Sequence, residues 1–295
     1  MSIMHSTKAL SLTPAVQNWL ANSRQPRILH LFDQACNLIN EQEEVLSVVT
    51  SQIGNGPFNL VVTDDLCFSN DLYLESPVSI SPTTLTLGNL MIHTAGTNLW
   101  NPQPDWQALH AHREIIANRI TQLQITNYAE QHGLTTPFED HSGLPITQSL
   151  VSNLSSALAN IDISSARILT SQLAGLGAGL TPAGDDFLMG AIYAAWIIHP
   201  FEIASLLGRD VAETAAPRTT SLSAAWLRAA GKGESGIVWH QFFDALLVAR
   251  IDNPSSLEES IKNILAIGET SGADALAGFM GVLTSWIERA GSSHA

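Results

Sequence analysis

Short runs rich in Val, Ile, Leu and Thr dominate the first hundred residues of the chain. These runs have the length and the β-branched content of strands. Gly, Pro, Asn and Ser separate them, most clearly at 54–57. Many short strands with such turns between them indicate an antiparallel sheet or a small barrel. The runs predicted as strands are 27–32, 45–49, 59–63, 72–74, 78–80, 85–87 and 90–93.

The pattern changes to helical spacing after Asp105. One amphipathic stretch runs to His132, Gly133 follows it, and a loop is predicted over 134–145. We therefore predict an α+β protein, with an N-terminal antiparallel, β-rich and barrel-like domain over 1–104 and a mostly helical domain over 105–295. The later predicted helices are 147–157, 163–174, 184–198, 202–214, 220–230, 236–249, 255–266 and 273–290.

Composition narrows the classes of partner. Apolar residues make up 45% of the chain and charged residues 14%, which is enough apolar content for a sizeable core. Only 13 Lys and Arg stand against 27 Asp and Glu, for a net charge of −14. Nucleic acids and anionic membrane surfaces need basic partners, so both are excluded as main ligands. A small anionic metabolite stays open, because one local positive site is enough to bind it.

The chain shows no targeting pattern and no zinc-binding spacing. Its longest charge-free apolar stretch, 187–198, is too short to span a membrane, and the N-terminus lacks a secretory apolar segment. We expect a cytoplasmic protein. Cys36 and Cys67 have no metal spacing, and His110 and His112 point in different directions on a helix, which argues against a zinc site.

The segment 175–190 carries the most chemical information. It reads GLGAGLTPAGDDFLMG, with four glycines directly before an apolar helix. Glycine costs backbone entropy, so we expect a ligand against the backbone near Gly177, Gly179 and Gly184. Thr181 and Pro182 fit the N-cap and first position of the helix, whose free N–H groups can bind an anion.

The residues around Asp185 and Asp186 match neither of two common nucleotide-binding motifs, and the two acids themselves could have several roles. Asp185 and Asp186 occupy the positions where a P-loop has Lys and Ser or Thr, and Leu180 interrupts a dinucleotide fingerprint. The two carboxylates could hold a bridging cation such as Mg²⁺, accept hydrogen bonds from an amide or ammonium group, or act as a general base. They could also simply favour the helix dipole.

Two later segments resemble parts of a binding site. The pattern Gly-x-Asp-x-Leu-x-Gly occurs at 184–190 and again at 272–278, which places Asp186 and Asp274 early in two helices. We expect the final glycines to let these helices cross closely, so that the acids face one site; a buried helix pair with ordinary caps is the alternative. Arg218, followed by the hydroxyls of 219–221 at a helix start, could bind carboxylate or phosphate, although a surface Arg beside a capped helix explains it equally well.

These motifs resemble those of a bacterial family long labelled as a domain of unknown function. The segment 175–190 is similar to its hallmark motif, 219–223 and 268–278 to its later motifs, and 54–57 to its N-terminal part. The resemblance implies genes beside an FdrA-like protein and a second uncharacterised subunit. One such trio is the oxamate carbamoyltransferase of allantoin breakdown, which converts oxamate and carbamoyl phosphate to oxalurate and phosphate.

The resemblance favours a subunit of a carbamoyltransferase complex that binds its anions at helix N-termini. A non-catalytic binding or scaffold subunit, and a stand-alone Mg²⁺-dependent enzyme on phosphorylated substrates, are the alternatives. No residue roles follow from the resemblance. From the residues themselves, the predicted catalytic groups are Asp185, Asp186 and Asp274, and the predicted substrate-binding residues are Gly177, Gly179, Thr181, Gly184, Arg218, Thr219, Thr220, Ser221, Ser271 and Gly272.

Overall fold

A computed structural model describes residues 5–122, 148–248 and 255–292. The described residues form two compact units. The first comprises the chain up to Pro102 together with Ser235–Ile237, and the second comprises the rest. The end of the helix predicted up to His132 and the loop predicted over 134–145 lie outside the described residues.

The first unit contains two open sheets of mixed strand direction. The strands are β1 (His5–Lys8), β2 (Ser11–Leu12), β3 (Arg27–Leu31), β4 (Ala35–Ile39), β5 (Val45–Thr50), β6 (Asn59–Val62), β7 (Val78–Ser81), β8 (Thr84–Leu87), β9 (Leu90–His93) and β10 (Asn98–Leu99). One sheet has the order β1-β9-β8-β7, in which β1 and β9 are parallel and the other pairs antiparallel. The other has the order β10-β2-β6-β5-β4-β3, with parallel pairs at β10–β2 and β5–β6.

The β-rich character of this unit is confirmed, but two details of the prediction are wrong. The described strands do not close into a barrel, and the pairs β1–β9, β10–β2 and β5–β6 are parallel instead of antiparallel. The predicted strand 72–74 is absent, since Leu72 caps the short helix α2 (Phe68–Asp71) and fills the core with its buried side chain. A further helix, α1 (Pro14–Asn22), begins at the N-cap Thr13 and buries Val16 and Trp19.

The second unit is helical, as predicted. The stretch after Asp105 forms two helices instead of one, because the backbone of His112, the C-cap of the first helix, leaves the helical conformation (φ −101°, ψ 11°). The helices of this part of the chain are α3 (Trp106–Ala111), α4 (Arg113–Gln122), α5 (Gln148–Ala159), α6 (Ile163–Leu173), α7 (Ala183–Ile198), α8 (Phe201–Ala215), a 3₁₀ turn (Ala216–Arg218), α9 (Ser221–Gly231), α10 (Ile237–Val248), α11 (Ser255–Leu265) and α12 (Ser271–Ser292). Within the described residues, no helix is both long and apolar enough to cross a membrane.

Helix α7 is the centre of this unit, and α12 packs along it. Almost every residue of α7 is buried, as expected for a helix that is apolar on all sides. A Cβ atom on Gly190 would lie 1.7 Å from the carbonyl oxygen of Ala275, and one on Gly278 would lie 1.9 Å from that of Phe187. The two helices therefore cross backbone against backbone at these glycines, as the sequence pattern predicted.

Candidate functional site

The glycine-rich loop before α7 is folded against the protein's own backbone. Gly175 has φ +75°, and a Cβ atom there would meet the carbonyl oxygen of Arg218. Gly177 has φ +116°, and its Cβ position lies against the amide nitrogen of Ala183. Both positions require glycine for conformation and for space. The protein itself therefore occupies the space that the sequence analysis reserved for a ligand.

Two further glycines of the motif differ in their surroundings. A Cβ atom on Gly184 would lie 2.2 Å from the carbonyl oxygen of Leu173, so this residue serves the packing of α6 against α7. Gly179 has φ +91° and no atom within 4 Å of its Cβ position. Among the three glycines predicted to bind substrate in this loop, Gly179 is the one that leaves open space beside its backbone.

Asp185 is fully occupied by hydrogen bonds within the protein. Its Oδ1 accepts from the amide of Gly175 at 2.9 Å, and its Oδ2 accepts from the hydroxyls of Thr219 and, at 2.8 Å, Ser223. Burial raises the pKa of Asp185, and these three bonds oppose the rise. The carboxylate thus ties the glycine loop to the start of α9, and this geometry favours a structural role over the predicted catalytic one.

Asp186 is also buried, but one of its carboxylate oxygens is unused. Only 5% of its surface is exposed, and its Oδ2 has no hydrogen-bond partner. Burial raises the pKa of Asp186 to about 8, with an additional effect of the nearby charge of Asp274; the hydroxyls of Ser271 and Thr181 oppose the rise. An unpartnered buried carboxylate oxygen is costly, so it marks a position where a ligand could compensate.

Asp274 shares this feature from the start of α12. Its buried Oδ2 has no hydrogen-bond partner, and burial raises its pKa to about 6, opposed by the Thr270 hydroxyl. The charge of Asp274 acts on Asp186, so the acids of the two repeated patterns lie near each other. The structure thus brings together the two acids that the sequence analysis assigned to one site.

Hydroxyl groups connect the two helix starts beside these acids. The Thr181 and Ser271 hydroxyl oxygens are 3.0 Å apart. Thr181 was predicted as the N-cap of α7, and this is wrong: the helix begins one residue later, at an N-cap Pro182 without a side-chain hydrogen bond. The Thr181 hydroxyl therefore does not cap α7 and instead contacts Ser271 at the start of α12. Gly272 packs against the carbonyl oxygen of Ile264, in the same way that Gly184 packs against α6.

The amide groups at the start of α7 are already used. The amide of Gly184 donates to the carbonyl of Leu176 at 2.9 Å, and those of Asp185 and Asp186 donate to Pro182. The amide of Ala183 is covered by Gly177. The amides of 183–186 are therefore not available to the predicted anion site at 179–184.

The segment 218–221 joins the site through its hydroxyls. Thr219 bonds Asp185, and Thr220 caps α9 while its own hydroxyl donates to the carbonyl of Leu180 at 2.5 Å. Ser221 is the first residue of α9. The exposed Arg218 side chain donates to the carbonyl of Thr214 at 2.9 Å, and it forms none of the ion pairs found among the described residues. Ser223 was not among the predicted site residues. Its position three residues after the N-cap Thr220 is the sequence signal that could have identified it.

The polar groups of the site are oxygen atoms without a basic partner. The ion pairs found among the described residues, Arg113–Glu114, Arg167–Asp210 and Arg228–Glu213, involve none of the three site acids. In the same part of the chain, no group of three or more His, Cys, Asp or Glu residues could hold a metal ion. Two surface hollows, of about 400 and 590 Å³, lie elsewhere, one between α5 and α6 and one beside α1.

Two family models match this chain, one in each of the two units. Residues 173–283 match the family model described as oxamate carbamoyltransferase subunit AllH, and this range contains every residue of the candidate site. Residues 8–99 match the AllH family N-terminal domain. No solved structure matches the chain significantly. Because the two matches together cover most of the sequence and follow the order of the two units, the chain belongs to the AllH family of oxamate carbamoyltransferase subunits.

Proposed function

We propose that this chain contributes the substrate site for carbamoyl transfer between oxamate and carbamoyl phosphate. In this reaction the amide nitrogen of oxamate attacks the carbonyl carbon of carbamoyl phosphate. A C–N bond forms, the C–O bond to phosphate breaks, and the proton lost by the amide nitrogen ends on the released phosphate, so the products are oxalurate and hydrogen phosphate. The family match supports the reaction, and it comes to this chain through the name of the family.

The observation that carries the location of the site is the pair of unpartnered oxygens on Asp186 and Asp274. Both reactants carry an NH₂ group, and a carboxylate oxygen accepts hydrogen bonds from such donors. Carbamoyl transfer needs an oriented amide nucleophile, a polarised carbonyl oxygen and a held phosphate. The unpartnered oxygens of Asp186 and Asp274 could orient the amide nucleophile, because both accept hydrogen bonds from NH₂ groups. Thr181 and Ser271 supply further polar contacts beside them.

The other predicted site residues take supporting roles in this proposal. Asp185 positions the glycine loop through its bonds to Gly175, Thr219 and Ser223. Gly179 offers open backbone beside the loop. We assign anion binding to groups outside the first turn of α7, because the amides there already have acceptors. Arg218 stays a candidate for this role, since its side chain is exposed.

A family of enzyme subunits implies other subunits in the active complex. We propose the FdrA-like protein and the second uncharacterised subunit as these partners. The role in allantoin and purine breakdown and the cytoplasmic location are part of the same proposal. The metabolic role rests on the family resemblance.

The test is phosphate- or arsenate-dependent cleavage of oxalurate by the complex reconstituted from this chain and both partners. We expect activity with the wild type and at least a hundredfold loss with Asp186→Asn or Asp274→Asn. Asp244→Asn, an exposed acid on α10, is the matched control and should keep full activity. Failure of every partner combination to cleave oxalurate would exclude the reaction for this chain.

Unchanged activity in both site variants would instead favour the non-catalytic alternative. In that case the complex would assemble and turn over, and the Asp186 and Asp274 region would serve packing or partner binding. Co-purification of each variant with the partners separates a lost reaction from a lost complex.

A further inference from the structure

Two unused carboxylate oxygens on neighbouring helix starts need an explanation of their own. Asp186 is 95% buried, yet its Oδ2 has no partner, and the buried Oδ2 of Asp274 has none either. Buried acids are ordinarily paired or bound to a cation. We propose that Asp186 and Asp274 together bind one divalent cation, Mg²⁺ or Mn²⁺. This deepens the proposed function, on which its catalytic meaning rests, by naming a ligand of the same site. A carboxylate oxygen has two lone-pair sites, so each acid can bind the cation and still accept a hydrogen bond from a substrate NH₂ group.

The donor set has the chemistry that such a cation prefers. Mg²⁺ is a hard ion that binds oxygen, and it is commonly held by one or two carboxylates, with waters and substrate phosphate completing its shell. The two acids supply the carboxylates. The hydroxyl oxygens of Thr181 and Ser271, which are 3.0 Å apart, lie beside them and can orient bound water. The group contains no sulfur and no imidazole, so a soft ion such as Zn²⁺ is not favoured.

The charges of the site point the same way. None of the ion pairs recorded for residues 5–122, 148–248 and 255–292 reaches Asp186 or Asp274. The whole chain carries a net charge of −14. An anionic substrate that approached two bare carboxylates would be repelled. A divalent cation cancels the charge of both acids and leaves open positions for the oxygens of a carboxylate or phosphate.

Asp185 provides an internal contrast for this interpretation. It lies one residue away and is equally buried, but three donors saturate its carboxylate. In this turn, the structural acid Asp185 thus has a hydrogen-bond donor for each carboxylate oxygen. In the neighbouring Asp186, one carboxylate oxygen has no such donor.

The cation site is tested on the full chain without partners. Isothermal titration with MgCl₂, and electron paramagnetic resonance with MnCl₂, should show one site per chain. Asp186→Asn and Asp274→Asn should each weaken binding by at least about tenfold. Asp244→Asn should bind as the wild type does. Circular dichroism of each variant confirms that it is folded, and Thr181→Val is the milder variant should either Asn variant unfold.

The possible outcomes separate the cation from the reaction. The cation site is overturned if binding does not saturate by about 10 mM cation, a concentration above the dissociation constants of weak protein sites. It is also overturned if both Asn variants bind the cation with wild-type affinity. Oxalurate cleavage by the complex without cation binding to this chain overturns the cation site but keeps the proposed function. Cation binding without cleavage under any partner combination keeps the site and overturns the function.

Discussion

The starts of α7 and α12 are built on the same plan. Each places a glycine against the last turn of the preceding helix, an acid two residues later, and a second glycine at the helix crossing. The crossing is reciprocal. Gly190 lies against the carbonyl of Ala275, three residues before Gly278, and Gly278 lies against the carbonyl of Phe187, three residues before Gly190. The pairs α6–α7 and α11–α12 therefore behave as two copies of one helical hairpin.

The hydrogen bonds of the two turns support this relation. Gly184 packs on the carbonyl of Leu173 and donates to Leu176, whereas Gly272 packs on Ile264 and donates to Ile267. Both contacts of the first hairpin lie three residues farther back than those of the second. A single three-residue insertion in the glycine-rich loop accounts for both differences.

What differs between the copies shows what each residue is for. The first copy has Asp185 where the second has Ala273. Asp185 holds the longer loop, and the shorter turn before α12 needs no such acid. The acid that both copies keep, Asp186 or Asp274, is the one with an unused oxygen. We therefore propose that the shared acid serves the site, whereas the hydrogen bonds of Asp185 tie it to the scaffold.

The largest effect should come from separating the two copies at their crossing. Gly278→Ala would place a Cβ atom 1.9 Å from the backbone oxygen of Phe187, so the helices must move apart. We expect the free energy of unfolding in urea to fall by about 3 kcal/mol. Gly281→Ala on the same helix is the matched control, since its Cβ meets the Ser155 hydroxyl, which can rotate away. Equal stability of the two variants would contradict the close crossing.

The scaffold acid should show the next largest effect. Asp185→Ala leaves the Gly175 amide and the hydroxyls of Thr219 and Ser223 without their acceptor. We expect a loss of about 2–3 kcal/mol in the free energy of unfolding. Asp185→Asn keeps an acceptor for the amide and a donor for the hydroxyls, so it should lose less than half as much. A loss of similar size in both variants would show that the negative charge itself is required.

The repeated pattern of glycine and acid can be predicted from the sequence, but the different roles of Asp185 and Asp186 within it cannot. The spacing of glycine and acid predicts the close crossing of α7 and α12, because it depends only on helix periodicity. The role of Asp185 could not be predicted, since its partners lie ten and more than thirty residues away. The same holds for the sheets. The parallel pairing of β1 with β9 joins segments 85 residues apart, which local turn signals do not encode.

The shared acids should behave oppositely to Asp185 when no cation is present. Above its pKa of about 8, Asp186 carries a buried charge with an unpartnered oxygen, which Asp186→Asn removes. In EDTA above that pH we expect this variant to unfold at the same or a higher urea concentration than the wild type, with a gain of up to about 1 kcal/mol. Adding Mg²⁺ should stabilise the wild type and leave the variant unchanged. A clear loss of stability in EDTA would place Asp186 in the scaffold with Asp185.

The smallest effect should come from the hydroxyl pair that joins the two copies. Thr181→Val keeps the shape of the side chain and removes one member of the 3.0 Å contact with Ser271. The contact is partly exposed to water, so we expect a loss of about 0.5–1 kcal/mol in the free energy of unfolding. The same change should weaken Mn²⁺ binding severalfold, because a group beside the carboxylates orients the ion's water shell. Ser271→Ala removes the other member and should match it in both measurements, whereas a Thr181→Val effect on stability alone would assign the pair to packing between the hairpins.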